Sequence, residues 1–276
     1  MSNLKLYPNF ATALEHLKGR MIHESFEVHT EKWQGLAVKA KPEALMREIL
    51  FPSFQVPILT EDLQRLADDI KPNLPWADRH FEEERVSGQP INPGETWKIW
   101  PWSNSADKFR TEGEQYNHSY AERYWPKYAG CGYAGGKLPG YLPKDEQMFG
   151  IRYAYGDLDD VVDLLADQPL TRQAYLPVFF PEDTGAVHGG RIPCTIGYHF
   201  MLRGDALHVS YQLRSCDFYR HMRDDIYLTV RLLLWVLNRL REKDYATWSR
   251  VKPGMYVMHV SSLHVFINDW RILKGK

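Results

Sequence analysis

The sequence predicts an α+β protein, a large mixed or antiparallel sheet flanked by long helices. Three observations carry that reading. Two alternating segments are joined by a tight turn, a long apolar helix follows, and a third alternating segment lies near the end. In the first segment, Cys194 to Leu202, Ile196, Tyr198 and Phe200 are expected to share a face. In the second, Leu207, Val209, Tyr211 and Leu213 alternate with His208, Ser210 and Gln212. Arg203-Gly204-Asp205 suits the hairpin turn between them. The helix is expected from about Asp225 to Arg241, because Ile226 to Leu240 is the most apolar run of the chain. The last strand, Met255 to Asn268, alternates near its end, with Leu263, Val265 and Ile267 opposed to His264, Phe266 and Asn268.

The upstream elements are less regular. Pro42, Pro52, Pro57, Pro72 and Pro75 punctuate residues 1–75 and predict short helical and irregular pieces without long regular elements. Thr60 is placed to cap a helix carrying Leu63, Leu66, Ala67 and Ile70 on one face. Residues 76–150 are rich in Trp, Tyr, Gly and Pro, with turns at Gly135-Gly136 and Pro139-Gly140, and read as ordered loops that carry function. Asp157 can cap a helix with Leu158, Val161, Val162 and Leu165 on one face, ended by Pro169. Ala174 to Phe180 reads as a strand.

Composition removes several functions. The 276 residues are 44% hydrophobic and 25% charged, which is globular rather than low-complexity or disordered. Thirty-four basic residues against thirty-five acidic give no bulk charge for nucleic acid or an anionic membrane. No run is apolar and long enough to span a bilayer, and the N-terminus lacks a signal-like apolar core. Three cysteines, Cys131, Cys194 and Cys216, with no Cys-x-x-Cys, argue against a disulfide framework or a zinc site. The scattered histidines offer no metal-ligand spacing. A cytoplasmic protein with reduced thiols is expected.

Three groups stand out: Pro193-Cys194-Thr195, Leu213-Arg214-Ser215-Cys216-Asp217, and Arg223-Asp224-Asp225-Ile226 at a helix start. His264-Val265-Phe266 follows. Each alone has a bland reading: a buried thiol, a solvated loop, a helix cap. Their order and spacing resemble the thymidylate synthase superfamily, whose core reads Pro-Cys-His, Gln-Arg-Ser-x-Asp, Asn-Ile and His-x-Tyr. The resemblance covers residues 82–269 and is strongest from 171 onward, while residues 1–80 match poorly. It implies a single thymidylate synthase-like domain over 1–276.

The departures are informative. The family's base-reading asparagine is here Asp225, with Asp224 the alternative, and in the branch acting on deoxycytidylate that position is aspartate. An amide satisfies the donor and acceptor of uracil, whereas a carboxylate accepts from the cytosine amino group and shares a proton toward N3. The sequence is therefore similar to the phage deoxycytidylate (dCMP) hydroxymethylase type. Thr195 replaces the family's histidine, Phe266 its tyrosine, Leu213 its glutamine, and Gln173 its second arginine.

What the resemblance implies is a folate-dependent transferase. Cys194 attacks C6 of the pyrimidine as a thiolate, and 5,10-methylenetetrahydrofolate is the one-carbon co-substrate. The catalytic glutamate falls in Glu82-Glu83-Glu84, with Glu82 preferred by spacing and Glu84 close behind. Arg214, Ser215 and, from a partner chain, Arg172 hold the phosphate of dCMP. His264 contacts the sugar, Tyr120 corresponds to a segment near the active cysteine, and Arg47 is the candidate for the N-terminal phosphate arginine. Asp217 and Trp100 lie on the folate side. No metal is implied. A homodimer is implied, working on nucleotide precursors in a phage-infected bacterium, with no membrane or direct nucleic-acid partner. Only Trp270 to Lys276 follow Asp269. Methylating members seal their site with a longer tail, so water capture and a hydroxymethyl product are expected. The alternatives are a dCMP methyltransferase, with Trp97, Trp100 and Trp102 excluding water, and a non-catalytic nucleotide-binding protein.

Overall fold

The computed structural model describes residues 4–33, 36–37, 41–106, 115–128, 155–186 and 191–275. Cys131 and the turns expected at Gly135-Gly136 and Pro139-Gly140 lie outside the described residues. The chain forms two compact units: Met1–Pro72 with Cys194–Lys276, and Asn73–Pro193.

The first unit is built on a mixed sheet. Its strands are β1 (Lys5–Leu6), β2 (Phe26–Val28), β3 (Met46–Leu50), β4 (Ser53–Pro57), β5 (Thr195–Arg203), β6 (Ala206–Asp217) and β7 (Lys252–Phe266). They run in the order β1-β4-β7-β6-β5, with β3 also paired to β7 and β2 to β3. β7 is parallel to β6 and antiparallel to β3 and β4. The hairpin β5–β6 turns through Gly204, whose φ of 61° is the conformation glycine tolerates best. Leu207, Val209, Tyr211 and Leu213 are buried and alternate with half-buried His208, Ser210 and Gln212, as the pattern predicts.

Two strand expectations are corrected. The register shifts between Thr195 and Gly197, so a bulge takes Ile196 out of the buried face; Tyr198, Phe200 and Leu202 form that face instead. At the other end β7 stops at Phe266, and Ile267 and Asn268 open a helix, Ile267–Leu273.

Three longer helices belong to this unit. α1 (Phe10–His23) contradicts the expectation of no long element before residue 75. Asn9 caps it through Thr12 N–H, and Asp69 accepts from the N–H groups of Phe10 and Ala11, so its first turn is satisfied from two sides. Phe10, Ala13, Leu14, Leu17 and Met21 are its buried stripe. Each large apolar side chain there contributes about 1.5–3 kcal/mol by leaving water. α2 (Leu63–Ile70) is capped by Asp62, whose Oδ1 accepts from Gln64 and Arg65 N–H; Thr60 instead bonds Asp62 N–H, one step too early to cap. α3 (Met222–Lys243) begins three residues before the expected start and is buried almost all round, as a core helix should be.

The second unit is mostly short turns and loops. Its longest helix, Leu158–Asp167, has the expected cap at Asp157, here one half of a capping box with Asp160, and the expected buried face. The strand expected from Ala174 to Phe180 is only Tyr175–Pro177. Its other feature of note is a π-helical turn, His80–Arg85, directly after a short helix, Trp76–Arg79.

Candidate active site

The end of β6 and the start of β5 bring the first group together. Arg214 N–H donates to the Cys194 carbonyl at 2.9 Å, which locks the two residues side by side across the ladder. The Arg214 guanidinium then lies 3.8 Å from Cys194 Sγ through Nη2. Cys194 is half-buried. A cation beside a sulfur favours the thiolate, the nucleophilic form. Thr195, where an imidazole was missing, is fully buried and hydrogen-bonded to the Tyr211 hydroxyl at 2.8 Å.

Parallel pairing sets Ser262 opposite Ser215, Leu263 opposite Cys216 and His264 opposite Asp217. His264 Nδ1 is 3.3 Å from Ser215 Oγ. Burial, then the charges of Arg214 and Arg220, press its pKa down to about 4, so the ring is neutral at physiological pH. A neutral imidazole can position a hydroxyl or phosphate without adding charge.

Asp217 and Asp225 have separate fates. Asp217 is 5% exposed, and its Oδ1 accepts from the N–H groups of Tyr219 and Arg220. Arg220 reaches it at 3.9 Å and pairs more closely with Asp269, at 2.7 Å. Burial, against the Arg220 bonds, raises its pKa to about 6. Asp217 thus shapes the turn into α3, and these bonds give a pterin contact no support. Asp225 lies on the first turns of α3 and is half-buried, whereas its neighbour Asp224 is only 2% exposed. Its Oδ2 accepts from the Cys216 thiol at 3.5 Å. Cys216 was not among the residues singled out for a role, although it is the x of the Arg-Ser-x-Asp motif.

Arg47, on β3, is committed elsewhere. It bonds Ser25 through its hydroxyl and carbonyl, pairs with Glu27 at 3.4 Å, and stacks over Trp270 at 5.2 Å. These contacts account for its guanidinium and leave the phosphate expectation unsupported.

The second unit holds the glutamates on the π-helical turn. Glu82 and Glu83 are exposed, and Glu83 pairs with Arg79 at 2.7 Å. Glu84 is buried at 7% exposure. His80 Nδ1 lies 2.8 Å from Oε2, and Thr96 donates to Oε1 through both its N–H, at 2.8 Å, and its hydroxyl. Burial alone would raise the Glu84 carboxyl; the bonds from His80 and Thr96 outweigh it and hold the group below its ordinary value. His80 is kept neutral by burial, and its Nε2 accepts from Arg85 Nε at 3.1 Å. Gly94 lies so close to the Glu84 carboxyl that an added Cβ would collide with it. Neither His80 nor Thr96 was foreseen; the signal available was their spacing of four and twelve residues from Glu84.

Around this cluster Trp76 stacks on His80 at 4.9 Å and 11°, and Trp100 lies 5.8 Å from Trp76. The Arg85 guanidinium sits 4.1 Å over the Tyr120 ring. Arg172 is exposed in the turn after Leu158–Asp167. Among the described residues no group of three or more His, Cys, Asp or Glu is arranged for a metal ion, and no helix is long and apolar enough to cross a membrane.

The structure matches that of the thermostable thymidylate synthase A from Bacillus subtilis with a TM-score of 0.61, over 97% of this chain and 84% of that one, at 12% identity. The fold is that of thymidylate synthase. In sequence the chain is 26% identical over 118 residues to a "putative thymidylate synthase" of Methanosarcina acetivorans, covering 43% of this chain and 49% of the relative. A protein of the same description from Methanosarcina mazei is 23% identical over 145 residues, 49% of this chain and 62% of that one. The chain thus spans about half to three fifths of the curated relatives it matches. No protein-family profile matches it.

Proposed function

We propose that the protein is a folate-dependent enzyme that transfers a one-carbon unit from 5,10-methylenetetrahydrofolate to C5 of dCMP, giving 5-hydroxymethyl-dCMP. The observation that carries the reading is the Arg214 guanidinium 3.8 Å from Cys194 Sγ on a thymidylate synthase fold. Cys194 adds as a thiolate to C6 of the pyrimidine, and C5 becomes an electron-rich carbon. C5 forms a bond to the one-carbon unit of the folate, loses its proton to a base, and the folate leaves. Water adds to the exocyclic methylene left behind, the C6–S bond then breaks to restore the C5=C6 double bond, and Cys194 leaves as the thiolate. The hydroxymethyl ending rests on the likeness to the dCMP branch.

Residue roles follow from the chemistry at each position. Arg214 supports the thiolate and, with Ser215, the phosphate; Arg172, exposed on its turn, is proposed to reach the phosphate of a partner chain in a homodimer. His264 holds the sugar side as a neutral ring. Asp225 reads the cytosine edge, since a carboxylate suits an amino donor and leaves uracil O4 unpaired. Glu84, rather than Glu82, is the proposed catalytic glutamate, because it is the buried one of the three. The flat faces of Trp76, His80 and Trp100 suit the pterin.

The test is incubation of the protein with methylenetetrahydrofolate and equal dCMP, dUMP and CMP, with products identified by mass spectrometry. Hydroxymethyl-dCMP is expected. Methyl-dCMP would keep the base assignment and replace the last step by hydride transfer. Product from dUMP alone, or nucleotide binding without any product, would overturn the reading.

A further inference from the structure

We propose that Cys216 is a positioning residue for substrate choice: its thiol donates to Asp225 Oδ2 and fixes the carboxylate that reads the base. This rests on the reading of Asp225 as the base-reading group.

The geometry gives Cys216 one hydrogen and two acceptors within reach. Asp225 Oδ2 lies at 3.5 Å and the Asp217 carbonyl at 3.8 Å. The carboxylate oxygen is the nearer of the two, so it is the acceptor. Cys216 itself cannot drift, because it is 3% exposed and paired across the sheet with Leu263. Burial, then the charges of Asp225, Asp217 and Cys194, push the thiol well above its ordinary pKa. It therefore stays a donor at neutral pH and does not compete with Cys194 as a second thiolate.

A thiol is a suitable choice at this place. A lysine or arginine here would neutralise Asp225 and compete with the cytosine amino group for it. The weak, uncharged S–H orients one oxygen and leaves the negative charge available to a ligand donor. Tyr256 provides the internal control. Its ring is fully buried, it shares the electrostatic surroundings of Asp225 and Cys216, and its hydroxyl makes no hydrogen bond among the described residues. Losing that hydroxyl perturbs the same interior without touching the carboxylate.

The experiment measures the ratio of dCMP to dUMP dissociation constants by calorimetry for the wild type, Cys216→Ala, Cys216→Ser, Tyr256→Phe and Asp225→Asn, each checked for a cooperative thermal transition. Cys216→Ala is expected to reduce the preference for dCMP about fivefold, the scale of one ordinary hydrogen bond, because a thiol is a weak donor. Cys216→Ser restores a hydroxyl donor and is expected to recover most of it, while Tyr256→Phe leaves the ratio unchanged. If Asp225→Asn moves the ratio but Cys216→Ala does not, the role of Cys216 is overturned and the base reading stands. An equal shift in Tyr256→Phe would also overturn it, as a generic disturbance of the interior. If neither Asp225→Asn nor Cys216→Ala moves the ratio, the base reading itself falls, and the inference with it.

Discussion

The sheet unit and the loop unit hold their reactive groups by different means. Around Cys194 the main chain does the positioning. The ladder bond from Arg214 N–H to the Cys194 carbonyl and the pairing of β6 with β7 set Cys194, Arg214, Ser215 and His264 beside one another. The side chains are left to chemistry. Around Glu84 the side chain is itself the tie. Its carboxylate satisfies Thr96 N–H, the Thr96 hydroxyl and His80, so it holds the turn His80–Arg85 to the segment that follows Gly94. In the proposed mechanism, function and stability are therefore separable in the first region and fused in the second.

Substitutions can break or sharpen that contrast. The largest effect is expected at Cys194. Cys194→Ala should lower kcat on the order of a thousandfold or more, as loss of a nucleophile does. Its dCMP affinity and unfolding free energy should stay close to wild type in calorimetry and urea denaturation. A large loss of stability would show that the sulfur is structural after all. Next comes Asp225→Asn, for which the kcat/KM ratio of dCMP to dUMP should fall by about a hundredfold, the upper scale of leaving one buried polar group unpaired.

Glu84→Gln should change both properties at once. Its amide would present a donor toward either His80 or Thr96, leaving a buried group unpaired, at about 1–3 kcal/mol of folding stability. Product formation should fall as well. Glu82→Gln, on the exposed face, should change stability by no more than about 0.5 kcal/mol and leave turnover intact. Activity lost in Glu82→Gln and kept in Glu84→Gln would reverse the assignment of the catalytic glutamate.

The smallest effect is a matter of pH. His264 has its folded pKa lowered from 6.5 to about 4, so the unfolded chain binds the extra proton and stability rises with pH across that window. Asp217 has its folded pKa raised from 3.8 to about 6, so its contribution is present at low pH and is lost as pH rises through about 6. The two oppose each other between about pH 4 and 6. Asp217→Asn removes the second, and denaturation midpoints should then rise more steeply over that range than in the wild type. A flatter profile would contradict the sign.

The regular part of the sheet unit was legible because period-two burial writes itself into sequence, as at Leu207, Val209, Tyr211 and Leu213. The bulge at Ile196 was not, since one extra residue changes faces without changing composition. α1 ends well before Pro42, the first of the prolines that break up the rest of residues 1–75, and the cap at Asn9 and the spacing of Phe10, Ala13, Leu14 and Leu17 carry its signal. At the site, the order of Cys194, Arg214, Ser215, Asp225 and His264 was readable through a family resemblance. Which glutamate is buried was not, because a π-helical turn rotates successive side chains differently from an α-helix. At Asp217, which the resemblance puts on the folate side, Oδ1 accepts from the N–H groups of Tyr219 and Arg220, a local tie that residue order does not reveal.

The central claim is that Cys194 bonds covalently to a cytosine nucleotide that has accepted a one-carbon unit. Its most direct test is intact-mass and peptide mass spectrometry after mixing the protein with methylenetetrahydrofolate and 5-fluoro-dCMP. Fluorine at C5 cannot leave as a cation, so the reaction should halt after the new carbon–carbon bond forms. The expected result is a protein heavier by one nucleotide and one folate, with the adduct on the peptide containing Cys194. An unmodified protein under conditions where the nucleotide binds, or an adduct on any other residue, would contradict the account.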